Sequence, residues 1–254
     1  MGMNRIIAVA GGTGTVGRHV VDAARKRGYD VRVLARSTGV DLITGEGLDR
    51  ALDGVEAVID TANLSTTSAD ASVAFFGTTT RTMLEAEARA SVRHHVALSI
   101  VGVDRAPEGY YAGKAAQEAL VAAGPVPWTI QRATQFHDFA AQLYAGAKLG
   151  PVHLAPRMRT QPVSTEEVAE ALIGLVEAGP SGRARDLAGP REEALVDMIR
   201  AYARAIGHRG WIPAINLPGA LGRAQRDGSL LPSPDAERGR QTFAEWVEGV
   251  ERPL

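Results

Sequence analysis

The 254-residue sequence contains no cysteine, only 5% aromatic residues and no strong excess of either charge. Without cysteine, the chain has no disulfide framework, no thiol nucleophile and no cysteine-bound zinc or iron–sulfur cluster. With 28 basic and 29 acidic residues, it also lacks the basic excess of most nucleic-acid-binding proteins. His94 and His95 have no third ligand at a suitable spacing, so we expect no metal site.

Long apolar runs are also missing. No run approaches the roughly 18 residues that a membrane span requires. The apolar run after Arg5 has five residues before two glycines, fewer than the about 7–15 of a signal-peptide core. We therefore expect a cytoplasmic protein with no membrane and no nucleic-acid partner.

The residues that are present indicate an α/β fold. Apolar residues make up 45% of the chain, and short apolar runs alternate with helical patterns, which favours a doubly wound parallel sheet. Strands are predicted at residues 5–10, 30–35, 40–42, 56–61, 95–100 and 128–132, and helices at 16–27, 47–52, 69–90 and 110–123. After about residue 150 the pattern loosens, with helices at 168–177, 192–206 and 240–248 and an irregular segment over 213–234.

A glycine-rich loop follows the first strand. The residues GGTGTVG satisfy G-x-G-x-x-G and open the next helix. In such a loop the glycines allow a tight turn, close approach of a pyrophosphate and packing of the helix on the strand, while the helix N-terminus faces the phosphates. The sequence therefore predicts a Rossmann-type dinucleotide site whose loop contacts are Gly11, Thr13, Gly14, Thr15, Val16 and Gly17.

The end of the second strand bears on cofactor choice. Sites for NAD commonly place a carboxylate there, whereas this chain has Arg36, 19 residues after Gly17, followed by Ser37. A guanidinium can pair with a 2′-phosphate, so we expect NADP(H) rather than NAD(H), the alternative being a solvated surface arginine. The loop after the 56–61 strand is predicted to lie beside the cofactor through Thr61, Ala62 and Asn63.

Tyr110 and Lys114 form a candidate catalytic pair. They are four residues apart on a predicted helix that follows the strand ending at Ser99. A nearby ammonium lowers a phenol's pKa, and a lysine can also bind a cofactor ribose. Tyr110 is thus the predicted proton donor, Lys114 its activator and cofactor ligand, and Ser99 the group that orients a substrate carbonyl. Tyr111 is a rival for the same role, and a packed tyrosine beside a solvated lysine is the structural alternative.

A second Y-x-x-x-K match, Tyr144 and Lys148, shows that this spacing alone is not specific. It follows a later strand, and we expect it to lie in a lid or on the surface.

Several segments together resemble a known family. GGTGTVG, LAR, SIVGVD, YYAGKAAQEAL, PWTIQRATQF, QPVSTEEVAEAL and TFAEW are similar to the atypical short-chain dehydrogenase/reductases of the NmrA-like branch. The resemblance implies a Rossmann core that binds NADP(H) and a lobe built partly from the helix after QPVSTEE. The change of pattern near residue 150 predicts this core over 1–150 and a small substrate-binding lobe over 151–254, which is too small and interrupted to be independent and is packed on the core. It also implies that Gln135, Phe136 and His137 lie near the nicotinamide and the substrate.

These features predict an NADPH-dependent oxidoreductase that reduces a small carbonyl, quinone or enone by hydride transfer. One alternative is a dinucleotide-binding redox sensor without catalysis, since the NmrA-like branch includes such proteins. A further alternative is a nucleotide-sugar epimerase, although these enzymes commonly have a longer substrate lobe. The oligomeric state is left open, and the expected partner is a small-molecule substrate.

Overall fold

The computed structural model describes residues 5–250, in which strands and helices alternate. In chain order the first elements are β1 (Ile6–Ala10), α1 (Gly17–Lys26), β2 (Asp30–Leu34), a 3₁₀ turn (Arg36–Thr38), α2 (Leu48–Leu52), β3 (Ala57–Asp60), α3 (Ala69–Arg89), β4 (His94–Ile100), α4 (Tyr110–Ala123) and β5 (Trp128–Ala133). They continue with α5 (Phe139–Gly146), β6 (Lys148–Leu149), β7 (Val152–His153), β8 (Ala155–Pro156), β9 (Arg159–Thr160), α6 (Thr165–Ala178), β10 (Gly182–Arg183), β11 (Leu187–Ala188), β12 (Glu193–Ala194), α7 (Leu195–Ala205), β13 (Ala214–Ile215), α8 (Gly219–Asp227), β14 (Glu237–Arg238) and α9 (Phe243–Glu248).

The chain divides into two compact units, each built from two segments. The first unit comprises residues 1–132 and 166–184, and the second comprises 133–165 and 185–254. This division differs from the predicted single boundary at residue 150. The chain leaves the first unit at the end of β5 and later returns to it for most of α6 and for β10.

The first unit contains a parallel sheet in the order β5-β4-β3-β1-β2, with β10 beside β5. β1, β3 and β4 are almost wholly buried, which explains their continuous apolar sequences. Residues of α6 are tied to this unit by Arg27, whose guanidinium pairs with Glu170 and with Glu177 (2.8 Å). The predicted doubly wound Rossmann-type fold is confirmed.

Helices α3 and α4 pack closely on one another. A Cβ added to Gly113 would lie 2.2 Å from Ser72 Oγ and 2.5 Å from the Ser72 backbone, so only glycine fits at this point of α4. The Ser72 hydroxyl donates to the Tyr110 carbonyl at 2.8 Å. These contacts fix the start of α4, which carries the candidate catalytic residues, against α3.

Two predicted segments were wrong. Residues 40–42 form no strand, because the Asp41 side chain accepts the backbone N–H groups of Ile43 and Thr44 and closes a turn instead. Residues 213–234 are not wholly irregular, since they contain α8. Pro218 and Gly228 stand at its two ends, where proline and glycine delimit a helix rather than break it.

Within the described residues, the second unit is built from short strand pairs and four helices, α5, α7, α8 and α9. β11 pairs with β14, β8 with β13, β9 with β12 and β6 with β7. Its core joins α5, α7 and α9 through a cluster that includes Ala140, Met198, Ile199 and Phe243. Within residues 5–250, no helix is both long and apolar enough to cross a membrane.

A buried ion pair lies at the start of β4. His95 Nδ1 lies 2.9 Å from Glu87 Oε1, and both side chains are fully buried. Although burial lowers the pKa of His95, the charge and hydrogen bond of Glu87 and the charge of Asp60 raise it above its usual value. The neighbouring His94 is neutral at pH 7, because burial and the charge of His95 lower its pKa to about 4.

This pair predicts a pH-dependent stability. The folded pKa of His95 lies above the unfolded value of about 6.5, so the pair stabilises fully below pH 6.5 and less as pH rises through the folded pKa. At pH 6 we expect Glu87→Gln to lower the free energy of unfolding by roughly 3–5 kcal/mol. Urea unfolding from pH 6 to 9 should show that difference shrinking. Glu85→Gln, exposed on the same helix, is the control; a difference that does not change with pH contradicts this prediction.

Candidate functional site

The glycine loop is held at the carboxyl end of β1. Gly11 has a positive φ of 69°, and its amide donates to the Leu34 carbonyl at 3.2 Å. A Cβ added to Gly17 would lie 2.1 Å from the Gly11 carbonyl oxygen, so the loop requires glycine at both positions. Thr13 and Gly14 are exposed at its tip.

The first turn of α1 has backbone N–H groups that could bind an anion. Among residues 5–250, no side chain caps this helix, whose N-cap position is Val16. The first N–H groups of an α-helix have no partner inside the helix, and together with the positive end of its dipole they favour a phosphate. The loop therefore suits the diphosphate of a dinucleotide.

The loop after β3 joins the glycine loop to α4. The Thr61 amide and hydroxyl both donate to the Ala10 carbonyl, at 3.0 and 2.7 Å. A Cβ added to Gly11 would meet the backbone of Thr61 and Ala62 within 2.9 Å, so the two loops lie in contact. Two residues further on, Asn63 Oδ1 accepts the Tyr110 hydroxyl at 2.8 Å. The structure thus brings together the predicted residues of three separate segments.

Tyr110 is held in an aromatic contact. Its ring meets Phe76 edge-on at 5.6 Å and Tyr111 at 6.4 Å between ring centroids. Burial, with the charges of Tyr111 and Asp60, raises the pKa of Tyr110 above its usual value. The predicted lowering of this pKa by Lys114 is therefore wrong, because burial raises it. Tyr110 is fully protonated at neutral pH, as a proton donor must be. Tyr111, its rival, is buried at 5% exposure.

Lys114 is buried one helical turn after Tyr110. Its ammonium donates to the Leu98 carbonyl at 2.6 Å and to Gln117 Oε1, and it lies 4.7 Å from the centroid of the Phe76 ring. Burial lowers the pKa of Lys114 to about 8, against the charges of Asp60 and Glu118, which raise it. The structural alternative of a solvated lysine is excluded, since Lys114 is 4% exposed.

Ser99 is tied to a carboxylate that sequence reasoning missed. Its hydroxyl donates to Glu118 Oε1 at 2.6 Å, and Glu118 also accepts from Arg132 and Arg183. Burial raises the pKa of Glu118, but hydrogen bonds from Arg132, Ser99 and Arg183 hold this pKa below its usual value. In this arrangement Ser99 offers only lone pairs to a ligand. The predicted role of donor to a substrate carbonyl requires its hydroxyl to turn away from Glu118.

Asp60 and Gln117 were also missed. Gln117 Nε2 donates to Asp60 Oδ2 at 2.6 Å, and both side chains are 1% exposed. Gln117 and Glu118 follow Lys114 by three and four residues, so the helical spacing places them on the face of α4 that carries the lysine. That spacing was the signal available in the sequence.

Arg36 and Ser37 open the 3₁₀ turn after β2 and are exposed. No other residue within 5–250 pairs with the Arg36 guanidinium, which leaves it available to an anion. Its position, at the end of the strand next to β1, matches the predicted position.

The other predicted substrate residues lie in the second unit. Gln135 Oε1 accepts the Thr160 hydroxyl at 2.6 Å, and Phe136 forms a β-bridge with Val163. His137 is fully buried, and its ring nitrogen Nε2 lies 3.2 Å from the Gln241 carbonyl oxygen. All three are part of the packing of that unit.

The second Y-x-x-x-K match is not a helical pair. α5 ends at Gly146, so Lys148 lies beyond the helix that carries Tyr144. Tyr144 instead stacks on His153, with ring centroids 3.9 Å apart. The structure therefore separates the two matches, and only the Tyr110 pair combines a shared helix with buried polar neighbours.

Comparisons with known proteins show the family of this chain. Residues 11–178 match the NAD(P)H-binding family. The chain is 31% identical over 221 residues to (4-alkanoyl-5-oxo-2,5-dihydrofuran-3-yl)methyl phosphate reductase of Streptomyces griseus, covering 80% of this chain and 74% of the relative.

Solved structures show the same fold. The NADPH-dependent quinone oxidoreductase of Escherichia coli, complexed with NADPH, superimposes with a TM-score of 0.69 at 19% identity, covering 95% of this chain and 98% of that one. UDP-glucose-4-epimerase of Stenotrophomonas maltophila, with bound NAD, gives 0.70 at 16% identity, covering 96% of both chains. The chain belongs to the NAD(P)H-binding family, as a member of the atypical short-chain dehydrogenase/reductases of the NmrA-like type.

Proposed function

We propose that this protein is an NADPH-dependent reductase of a small conjugated carbonyl compound, an enone or a quinone. The observation that carries the proposal is that Tyr110 and the buried Lys114 both contact Phe76 from one face of α4, while the Tyr110 hydroxyl bonds to Asn63 in the loop beside the glycine turn. The reductase relative, whose name describes an unsaturated lactone ring, supports an enone substrate.

The residues of the first unit fit a nicotinamide dinucleotide. The glycine loop is closed to any Cβ at Gly17, and the uncapped start of α1 leaves N–H groups for a diphosphate. The exposed guanidinium of Arg36 suits a 2′-phosphate, which favours NADPH over NADH.

When bound, the cofactor supplies the hydride. The chain itself must supply a proton to the reduced substrate, and Tyr110 is the protonated acid at the site. The buried ammonium of Lys114 stabilises negative charge as it develops on the phenol oxygen or the substrate oxygen. The Tyr110 hydroxyl donates to Asn63 Oδ1, so this hydrogen bond must be exchanged for one to the substrate before the proton is transferred.

A dinucleotide-binding sensor is the second candidate. The observation that favours it is that the hydroxyl protons of Tyr110 and Ser99 are both already bound by acceptors of the chain, Asn63 and Glu118. A sensor needs no exchange of these hydrogen bonds, whereas an enzyme does. Turnover therefore separates the two candidates.

The proton-donor role of Tyr110 is tested by Tyr110→Phe. We expect kcat/KM for enone and quinone reduction to fall about 10²- to 10⁴-fold, because the general acid is lost while the ring contact with Phe76 remains. Tyr144→Phe, at the other Y-x-x-x-K match, is the matched control and should retain full activity. Tyr111→Phe tests the rival tyrosine. A loss of activity confined to Tyr111→Phe assigns the acid to Tyr111. Wild-type protein that binds NADPH but reduces none of a set of enones and quinones favours the sensor.

Cofactor choice is tested by Arg36→Ala. Losing a charge-assisted contact to the 2′-phosphate is expected to weaken NADPH binding about 10- to 100-fold. The Kd for NADH, which has no such phosphate, should stay the same. Arg25→Ala, exposed at the far end of α1, controls for the loss of a surface charge. Fluorescence titration of wild type and the two variants with both cofactors gives six dissociation constants. Unaltered NADPH binding by Arg36→Ala contradicts the assignment.

A further inference from the structure

A directional chain of buried hydrogen bonds runs from Lys114 to Asp60. The Lys114 ammonium donates to Gln117 Oε1, and Gln117 Nε2 donates to Asp60 Oδ2 at 2.6 Å. Asp60 Oδ1 accepts the Ala62 backbone amide at 2.9 Å. All three side chains are at most 4% exposed, so water does not compete for these contacts.

The direction of this chain is set by Asp60. An ionised carboxylate only accepts hydrogen bonds, so Gln117 must turn its NH₂ group towards Asp60 and its oxygen towards Lys114. In the opposite orientation, the amide NH₂ group would face the ammonium, also a donor, and the amide oxygen would face the carboxylate, also an acceptor. Both contacts would then be repulsive in a site from which water is excluded.

The orientation of the amide decides what the lysine has left for a ligand. Two of the three ammonium protons are bound by Gln117 and by the Leu98 carbonyl (2.6 Å). The Phe76 ring covers the ammonium at 4.7 Å. With its position fixed from α4, β4 and α3, Lys114 retains one N–H for a bound molecule.

We propose that Asp60 and Gln117 are positioning residues for Lys114: Asp60 sets the orientation of the Gln117 amide, and the amide oxygen holds the ammonium in place. The consequence for turnover rests on the proposed reductase function. The effect on Lys114 itself does not, and it is measurable without substrate.

The charges around Lys114 determine the sign of the effect. Asp60 on β3 and Glu118 on α4 raise the pKa of Lys114 against burial, and Glu118 is in turn bound by Arg132 and Arg183. Within residues 5–250, the other groups in contact with the ammonium are the Phe76 ring, the Leu98 carbonyl and the Gln117 amide, and none of them titrates. Removing the Asp60 charge, or the amide that transmits it, must therefore favour the neutral amine.

The experiment uses the full chain labelled with ¹³C-lysine. The protein has only three lysines, so Lys26→Arg and Lys148→Arg assign the Lys114 ¹³Cε signal directly. Its titration midpoint is then compared between wild type, Asp60→Asn and Gln117→Met. We expect both variants to lower the midpoint by about one pH unit or more. Asp53→Asn and Gln142→Met, at exposed positions, are the controls and should leave it unchanged.

Gln117→Glu is the rescue variant. A glutamic acid that shares one proton with Asp60 donates its O–H to Asp60 and accepts from Lys114 with its other oxygen, which restores the direction of the chain. Its midpoint should equal or exceed that of wild type. Because it preserves the buried hydrogen bonds, this variant keeps the proposal testable if Asp60→Asn and Gln117→Met do not fold.

The outcomes separate this proposal from the proposed function. An unchanged midpoint in folded Asp60→Asn or Gln117→Met, or a lowered midpoint in Gln117→Glu, overturns the positioning role whatever the activity. Where the midpoint moves as expected, the pH at which kcat changes should move with it, with little change in KM. If the variants lower the Lys114 midpoint but the wild-type protein reduces no substrate, the positioning role is supported and the reductase function is contradicted.

Discussion

The close approach of α4 to α3 is the constraint on which the candidate site depends. Gly113 lies directly on Ser72, and the first turn of α4 is fixed by the bond from Ser72 to the Tyr110 carbonyl. At that separation Phe76 of α3 touches both the Tyr110 ring and the Lys114 ammonium. A side chain at position 113 would push the helices apart, and every hydrogen bond from α4 to β3 and β4 would lengthen with them.

The polar face of α4 carries two buried networks, one around the positive Lys114 and one around the negative Glu118. Lys114 is balanced by Asp60 through Gln117, and Glu118 is balanced by Arg132 and Arg183. Burying a lone charge costs several kcal/mol by common estimates, which is comparable to the net free energy of unfolding of a folded domain. Each charge is tolerated because its partners come from neighbouring strands, so the same contacts that offset desolvation also hold the candidate catalytic groups in position.

Local patterns made much of this predictable from the sequence. The glycine loop, Arg36 at the strand end and the spacing of Tyr110 and Lys114 each depend on residues close together in the chain. The Asp60–Gln117 bond joins residues 57 apart, and no periodicity reports such a pairing. The same limit explains the errors at residues 40–42 and at α8. In the sequence alone, an aspartate that closes a turn cannot be told from one at the end of a strand. Proline and glycine at the two ends of a helix likewise resemble those of a loop. Burial was the other unknown, since the pKa of Tyr110 depends on it more than on Lys114.

The return of residues 166–184 to the first unit matters for how the protein is made. β10 pairs with β5, and Arg27 pairs with Glu170 and Glu177. When a ribosome has produced only the first 132 residues, β5 therefore has an unpaired edge and α1 lacks its ionic partners. Unpaired strand edges are prone to associate with other chains. The first unit can be completed only after the whole 133–165 segment of the second unit has emerged, and that segment must then wait for residues 185–254 before its own unit can be completed.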